Sequence, residues 1–228
     1  MNHPRSQKRA VVLLSGGLDS ATTLFLAKTQ GFRCHCLVVD YGQRHRREIR
    51  SAQAVAKAAR CPVHLIRIRL AWGGSALTDH RIGVPMGRSL REIGRGIPVT
   101  YVPARNTVFL SVATSLAETI GASAIFIGAN HLDSSGYPDC RPEYYQAFHQ
   151  VIRRGTRAGV EGRPIRIQVP LIRKRKGQIV RLGMKLGVPY GLTWSCYQGL
   201  ARPCGSCDSC ILRAKGFQEA GCIDPAIQ

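Results

Sequence analysis

Ser15-Gly16-Gly17-Leu18-Asp19-Ser20 follows the apolar run Ala10-Val11-Val12-Leu13-Leu14 and precedes Ala21-Thr22-Thr23-Leu24-Phe25-Leu26-Ala27-Lys28. The order is strand, tight small-residue loop, helix. Such a loop offers unpaired backbone N–H groups and the positive end of a helix dipole to an anion. The two adjacent glycines let the backbone come close to a guest, where a Cβ would intrude. Ser15 and Ser20 add hydroxyl donors. The natural guest is a phosphate or pyrophosphate.

Outward from this loop, strand and helix signals alternate. Cys34–Asp40 and Val63–Ile68 read as strands, and Ala124–Gly128 as a fully apolar one. Asp19–Thr29, Glu48–Ala59, Thr107–Ile120, Tyr144–Arg153 and Lys176–Leu186 read as helices, several closed by Gly or Pro. Strands separated by helices of this length predict an α/β fold, a Rossmann-like parallel sheet with helices on both faces. Ligands in such sheets sit beyond the carboxyl ends of the strands. That rule gathers Ser15–Ser20, Asp40-Tyr41-Gly42 and Ala129–Asp139 in one place. Gly73–Arg105 has no clear period, and a loop that long in a compact domain is usually functional. The one plausible boundary lies near Gly191. It divides a nucleotide-binding α/β domain, 1–190, from a C-terminal segment, 191–228, packed on it.

The chain has 228 residues, 44% of them apolar, enough for one large domain with a small appendage. No stretch approaches the ~18 apolar residues that span a membrane, and the N-terminal apolar run is too short for a signal peptide. A cytoplasmic location is expected. The nine cysteines are an odd number, which argues against a disulfide framework. The formal charge of +20 leaves two readings: a tRNA or DNA partner, or a basic surface around a site for small anions. No recognised nucleic-acid motif supports the first, so a nucleic-acid partner is possible from charge alone but not favoured.

Cys196, Cys204, Cys207 and Cys210 supply four thiolates within fifteen residues. Zn²⁺ takes four such ligands tetrahedrally, and a full set leaves no open position for water. The site is therefore expected to be structural. An iron–sulfur cluster is the second metal reading, and a redox Cys-x-x-Cys the third. The cysteines at 34, 36, 61 and 222 read as small buried hydrophobes. Ser134–Arg141 combines Gly136 and Pro138, which impose a turn, with the flat face of Tyr137 and the carboxylate of Asp139; Asp133 stands just before it. A purine-like base wants such partners: an aromatic face, and a carboxylate accepting two N–H bonds.

The Ser15–Ser20 loop lacks the spacing and lysine of a Walker A motif. It resembles the pyrophosphate loop of the ATP pyrophosphatases. With Asp40–Ile49 (DYGQRHRREI), Val102–Leu110 (VPARNTVFL), Ser135–Arg141 (SGYPDCR) and the CGSCDSC tail, the chain resembles the 7-cyano-7-deazaguanine synthase family from about Lys8 to Ala214. The resemblance implies an adenine nucleotide alpha hydrolase-like fold and a carbon–nitrogen ligase of queuosine biosynthesis. It would use ATP, Mg²⁺ and ammonia to turn 7-carboxy-7-deazaguanine into the nitrile, and work as a homodimer with structural Zn²⁺. It places Leu14, Ser15, Gly16, Gly17, Leu18, Asp19 and Ser20 at the ATP phosphates, with Arg105 and Asn106 near them and Asp40 and Tyr41 near the adenosine. Lys176 would neutralise the departing pyrophosphate, making Ser15, Asp19, Ser20 and Lys176 the catalytic set. Asp133, Tyr137, Pro138 and Asp139 would grip the deazaguanine, and Cys196, Cys204, Cys207 and Cys210 would bind zinc. Arg44, His45 and Arg46 would meet phosphate, substrate carboxylate or a second subunit.

Position 104 departs from the family's Val-Pro-Gly-Arg-Asn: it is Ala here. Either Ala104 has φ below zero, or the loop bends differently. The chain is also more basic than expected of the family. The alternatives are a relative that stops at the amide or uses another amine, a tRNA-modifying ATP pyrophosphatase, and a zinc-bearing nucleotide-binding module without turnover.

Overall fold

The computed structural model describes residues 7–132 and 136–226. Five strands form one sheet: β1 (Arg9–Leu13), β2 (Arg33–Asp40), β3 (Val63–Arg67), β4 (Ala124–Ile127) and β5 (Arg166–Gln168). Their spatial order is β3-β2-β1-β4-β5 and every pairing is parallel. The helices are α1 (Leu18–Thr29), α2 (Arg47–Ala58), α3 (Leu90–Ile93), α4 (Arg105–Thr119), α5 (Pro142–Gly155), α6 (Arg157–Val160), α7 (Lys176–Lys185) and α8 (Asp208–Ala220). The chain runs outward from β1 to β3, then crosses back to place β4 on the other side of β1. The strand order therefore reverses at β1 and β4, and a crevice opens beyond their carboxyl ends.

Side-chain alternation along the central strands builds two cores. Ala10 and Val12 of β1, with Leu14 just beyond it, face one cluster with Leu24 of α1, Val55 of α2 and Ile179 of α7. Val11 and Leu13 face the other with Leu110 of α4 and Phe148 of α5. This double burial explains why β1 and β4 are continuous apolar runs. A third, smaller cluster joins Ala76 and Val84 of the long loop to Trp194, Cys196, Cys207 and Cys210.

The expected architecture is present, with shifted ends. Helix α4 begins at Arg105, so Arg105 and Asn106 form its first turn rather than a preceding loop. The sequence reading missed β5 and α8. Ala104 overturns the first expectation for the loop before α4: it is left-handed, with φ +54°, and stands at the N-cap position of the helix. The C-terminal segment packs tightly on the rest. Ideal Cβ atoms at Gly177 and Gly216 would lie 2.6 Å from Glu219 Cβ and 2.4 Å from Lys176 Cγ, so these glycines set the close approach of α7 and α8.

Candidate active site

The loop after β1 is held by its own side chains. Ser20 Oγ accepts from Ser15 N–H at 3.2 Å and donates to Gly17 O at 3.0 Å; Ser15 Oγ lies 3.0 Å from Ser20 Oγ and accepts from Gly17 N–H at 3.3 Å. Gly16 has φ +86°, and a Cβ there would meet Glu48 O at 2.3 Å and Ala52 N at 2.7 Å. Only glycine lets the loop rest on the first turns of α2. Gly128, after β4, has the same role on the other side: its Cβ would lie 2.9 Å from the Asp19 carbonyl and Ser20 N.

Lys176, the first residue of α7, is buried, and its Nζ stands 2.7 Å from Asp19 Oδ2 in the first turn of α1. Asp19 Oδ1 is buried and has no hydrogen-bond partner among the described residues. A buried oxygen in that state calls for a cation or a donor, so the site fits a ligand such as Mg²⁺.

A cavity at the strand ends is lined by Leu14, Ser15, Gly17, Leu18, Asp19, Ser20 and Lys176. Tyr41, Arg105, Asn106 and Tyr137 also line it. Arg105 donates to Tyr41 Oη at 3.3 Å, and its guanidinium lies 5.7 Å from the Tyr41 ring centroid and 5.9 Å from that of Phe109. Tyr137 Oη lies 2.7 Å from Thr100 Oγ1. A Cβ on Gly136 would lie 2.1 Å from Gly96 O, so the turn before Tyr137 docks on the long loop.

Several sequence candidates stand elsewhere. Asp40 does not line the cavity; its carboxylate receives Arg46 at 2.6 Å, with Arg67 at 3.9 Å. The Arg46 hydrogen bond holds the Asp40 carboxyl below the usual carboxylate range. Asp139 does not line it either: the carboxylate accepts the Asn106 N–H at 3.1 Å, capping α4, while Asn106 Nδ2 donates to Asp139 O at 3.0 Å. Burial raises the Asp139 pKa, opposed by Arg105 and the Asn106 N–H. Pro138 opens a 3-10 turn away from the lining, and Gly16 is covered by α2. Asp133 lies outside the described residues.

The basic stretch after β2 is largely spent on internal contacts. Arg44 donates to Asp79 O at 3.0 Å and Ile82 O at 2.8 Å, pinning the long loop. His45 is buried with Nε2 3.1 Å from Glu48 Oε1. Arg47 covers the Trp194 ring at 4.0 Å. The sequence reading missed Gln43, Glu48, Tyr197 and Arg213, which also line the cavity. Arg213 is buried and bonds Asp224 at 2.5 and 2.8 Å and Thr193 Oγ1 at 2.8 Å, tying the C-terminal segment together.

Cys196, Cys204, Cys207 and Cys210 place their Sγ atoms within 4.8 Å of one another. Gln198 and Cys204 N–H groups donate to Cys196 Sγ at 3.4 and 3.3 Å, and Cys207 N–H donates to Cys204 Sγ at 3.3 Å. The Cys207 and Cys210 thiols hold the Cys196 thiol far below its ordinary pKa. Four convergent sulfurs with amide donors aimed at them fit a thiolate-bound metal ion. Trp194 links this cluster to the loop: its backbone N–H donates to Gly16 O and its indole N–H to Cys196 O, both at 2.9 Å. Of the other five cysteines, Cys34, Cys36 and Cys140 are buried, and Cys61 and Cys222 are half-buried.

The family model for "Queuosine biosynthesis protein QueC" matches residues 9–221. This chain belongs to the QueC family. It is 58% identical over 221 residues to the 7-cyano-7-deazaguanine synthase of Anaeromyxobacter dehalogenans (strain 2CP-C), covering 96% of this chain and 94% of that protein. It is 55% identical to the 7-cyano-7-deazaguanine synthase of Nostoc punctiforme (strain ATCC 29133 / PCC 73102), covering 96% and 99%. A 4-thiouridine synthetase, solved as an RNA complex with bound ATP, shares the fold at 19% identity. Its TM-score is 0.52, over 94% of this chain and 50% of that one. No helix among the described residues is long and apolar enough to cross a membrane.

Proposed function

We propose that this QueC-family protein is an ATP-dependent carbon–nitrogen ligase that converts 7-carboxy-7-deazaguanine and ammonia to 7-cyano-7-deazaguanine. The observation that carries the reading is one cavity lined both by the loop with its Lys176–Asp19 pair and by Tyr41, Tyr137 and Tyr197. It offers an anion site and flat aromatic walls together.

Carboxylate and amide oxygens are poor leaving groups, and adenylation makes each a good one. A substrate carboxylate oxygen attacks the α-phosphorus of ATP and pyrophosphate leaves. Ammonia displaces AMP to give the amide. The amide oxygen then attacks the α-phosphorus of a second ATP, a second pyrophosphate leaves, and loss of both N–H protons and AMP leaves the nitrile. Each carboxylate oxygen thus departs on an AMP.

The loop N–H groups of Leu14–Ser20 would receive the phosphates, with Ser15 and Ser20 as hydroxyl donors. Lys176 would offset charge on the departing pyrophosphate, and Arg105 that on the polyphosphate. The unpartnered Asp19 oxygen would hold Mg²⁺, which supplies Lewis-acid charge neutralisation when bound. Cys196, Cys204, Cys207 and Cys210 would hold a structural Zn²⁺.

Incubation with ATP, Mg²⁺, ammonium and ¹⁸O-carboxyl-labelled 7-carboxy-7-deazaguanine tests this. The expected products are the nitrile and labelled AMP, read by mass. Accumulated amide without nitrile, or AMP without label, contradicts it.

A further inference from the structure

A guanine-type edge presents a ring N–H and an amino N–H side by side, and a carboxylate accepts both. Asp139 is committed to the N-terminus of α4, and Asp40 to Arg46 and Arg67. Among the described residues the cavity is lined by two carboxylates, Asp19 and Glu48. Asp19 is the partner of Lys176 beside the loop. Glu48 remains. It sits in the first turn of α2, its side chain 16% exposed, with Oε1 3.1 Å from His45 Nε2. A carboxylate has about four acceptor positions, so this contact leaves most of them open to a guest. Tyr41 and Tyr197 bring two aromatic walls to the same cavity that Glu48 lines. Gln43, whose Oε1 accepts the Tyr41 N–H at 2.9 Å, lines the same region of chain.

We infer that Glu48 is the specificity residue that accepts the ring N–H and the 2-amino group of the deazaguanine. The inference rests on the function proposed above. His45 Nε2 stands 3.1 Å from one oxygen of the carboxylate, Oε1, and Glu48 lines the cavity. Removing the substrate's amino group leaves that acceptor unpaired, and a site built to receive an N–H discriminates against the analogue without it.

The test compares 7-carboxy-7-deazaguanine with its 2-desamino analogue, in wild type and in Glu48→Gln, reading KM for each acid, kcat and KM for ATP. Wild type is expected to prefer the amino-bearing acid in kcat/KM by about 10–100-fold. In Glu48→Gln the KM for the natural acid rises, that for ATP holds, and the preference collapses to a few-fold. A purely structural role for Glu48 would weaken both acids equally and keep their ratio, which overturns the inference. Loss of the preference in Asp133→Asn but not in Glu48→Gln also overturns it. If Glu48→Gln does not fold, Glu48→Asp carries the comparison, with a reduced preference expected and an unchanged one contrary. Wild type that makes no nitrile from the natural acid contradicts the proposed reaction instead, so the two failures are separate.

Discussion

Lys176 Nζ lies 2.7 Å from Asp19 Oδ2, and this contact joins the first turn of α7 to the first turn of α1 across 157 residues. Lys176 enters the site because Gly216 leaves room for its stem. Lys176→Met should lower kcat by about 10²–10³-fold, the size of losing one charged group aimed at a departing anion. Steady-state AMP release measures it, and a loss below tenfold contradicts the assignment. Gly216→Ala should show part of the same defect, because its methyl displaces the lysine rather than removing it.

Ala104 is exposed and left-handed. An L-residue there costs about 1–2 kcal/mol, partly offset by the extra chain entropy a glycine would lose. Ala104→Gly should therefore stabilise the fold by about 0.5–1 kcal/mol. For a chain of this size that is a rise of about 1–4 °C in Tm. Calorimetry checks it, and a lower Tm contradicts the strain argument.

The cysteine cluster and the loop share Trp194. Elemental analysis of purified protein should give about one zinc per chain and no stoichiometric iron. Chelation should lower Tm and also raise KM for ATP, because the Trp194–Gly16 contact loosens. A fall in Tm with KM for ATP unchanged would show that the cluster staples the tail without supporting the loop.

Asp40 titrates below the usual carboxylate range because Arg46 bonds it. Its folded pKa lies below its unfolded value of 3.8, so its contribution to stability is full above about pH 5 and fades as pH falls through the folded value. Arg46→Gln should move the Asp40 titration upward and reduce that acid-range dependence. Carboxyl-carbon NMR reads the shift directly, and an unmoved Asp40 contradicts it.

The strands that matter most to the site were legible because burial on both faces writes itself as uninterrupted apolar runs, as in Ala10–Leu14 and Ala124–Gly128. Strand β5 carries Arg166 and Gln168 around one apolar Ile167, too short and too polar to show a period. Helix α8 begins inside the cysteine cluster and has no marked apolar face. The glycine loop and the sulfur cluster were legible because close approach and metal binding restrict residue type locally. Asp139 stands off the cavity lining because its carboxylate accepts the Asn106 N–H where α4 starts at Arg105, a contact distant in sequence. Glu48 was overlooked for the converse reason. It looks like any acidic residue in a helix's first turn until α2 is seen resting on Gly16.

That resting contact has a wider effect. The Glu48 carbonyl would be 2.3 Å from a methyl at position 16, so the turn and the helix start form a single mechanical joint. Redesigning the enzyme for a different heterocycle must alter the side chain at 48 while leaving its backbone where it is, since any drift there would travel straight into nucleotide binding.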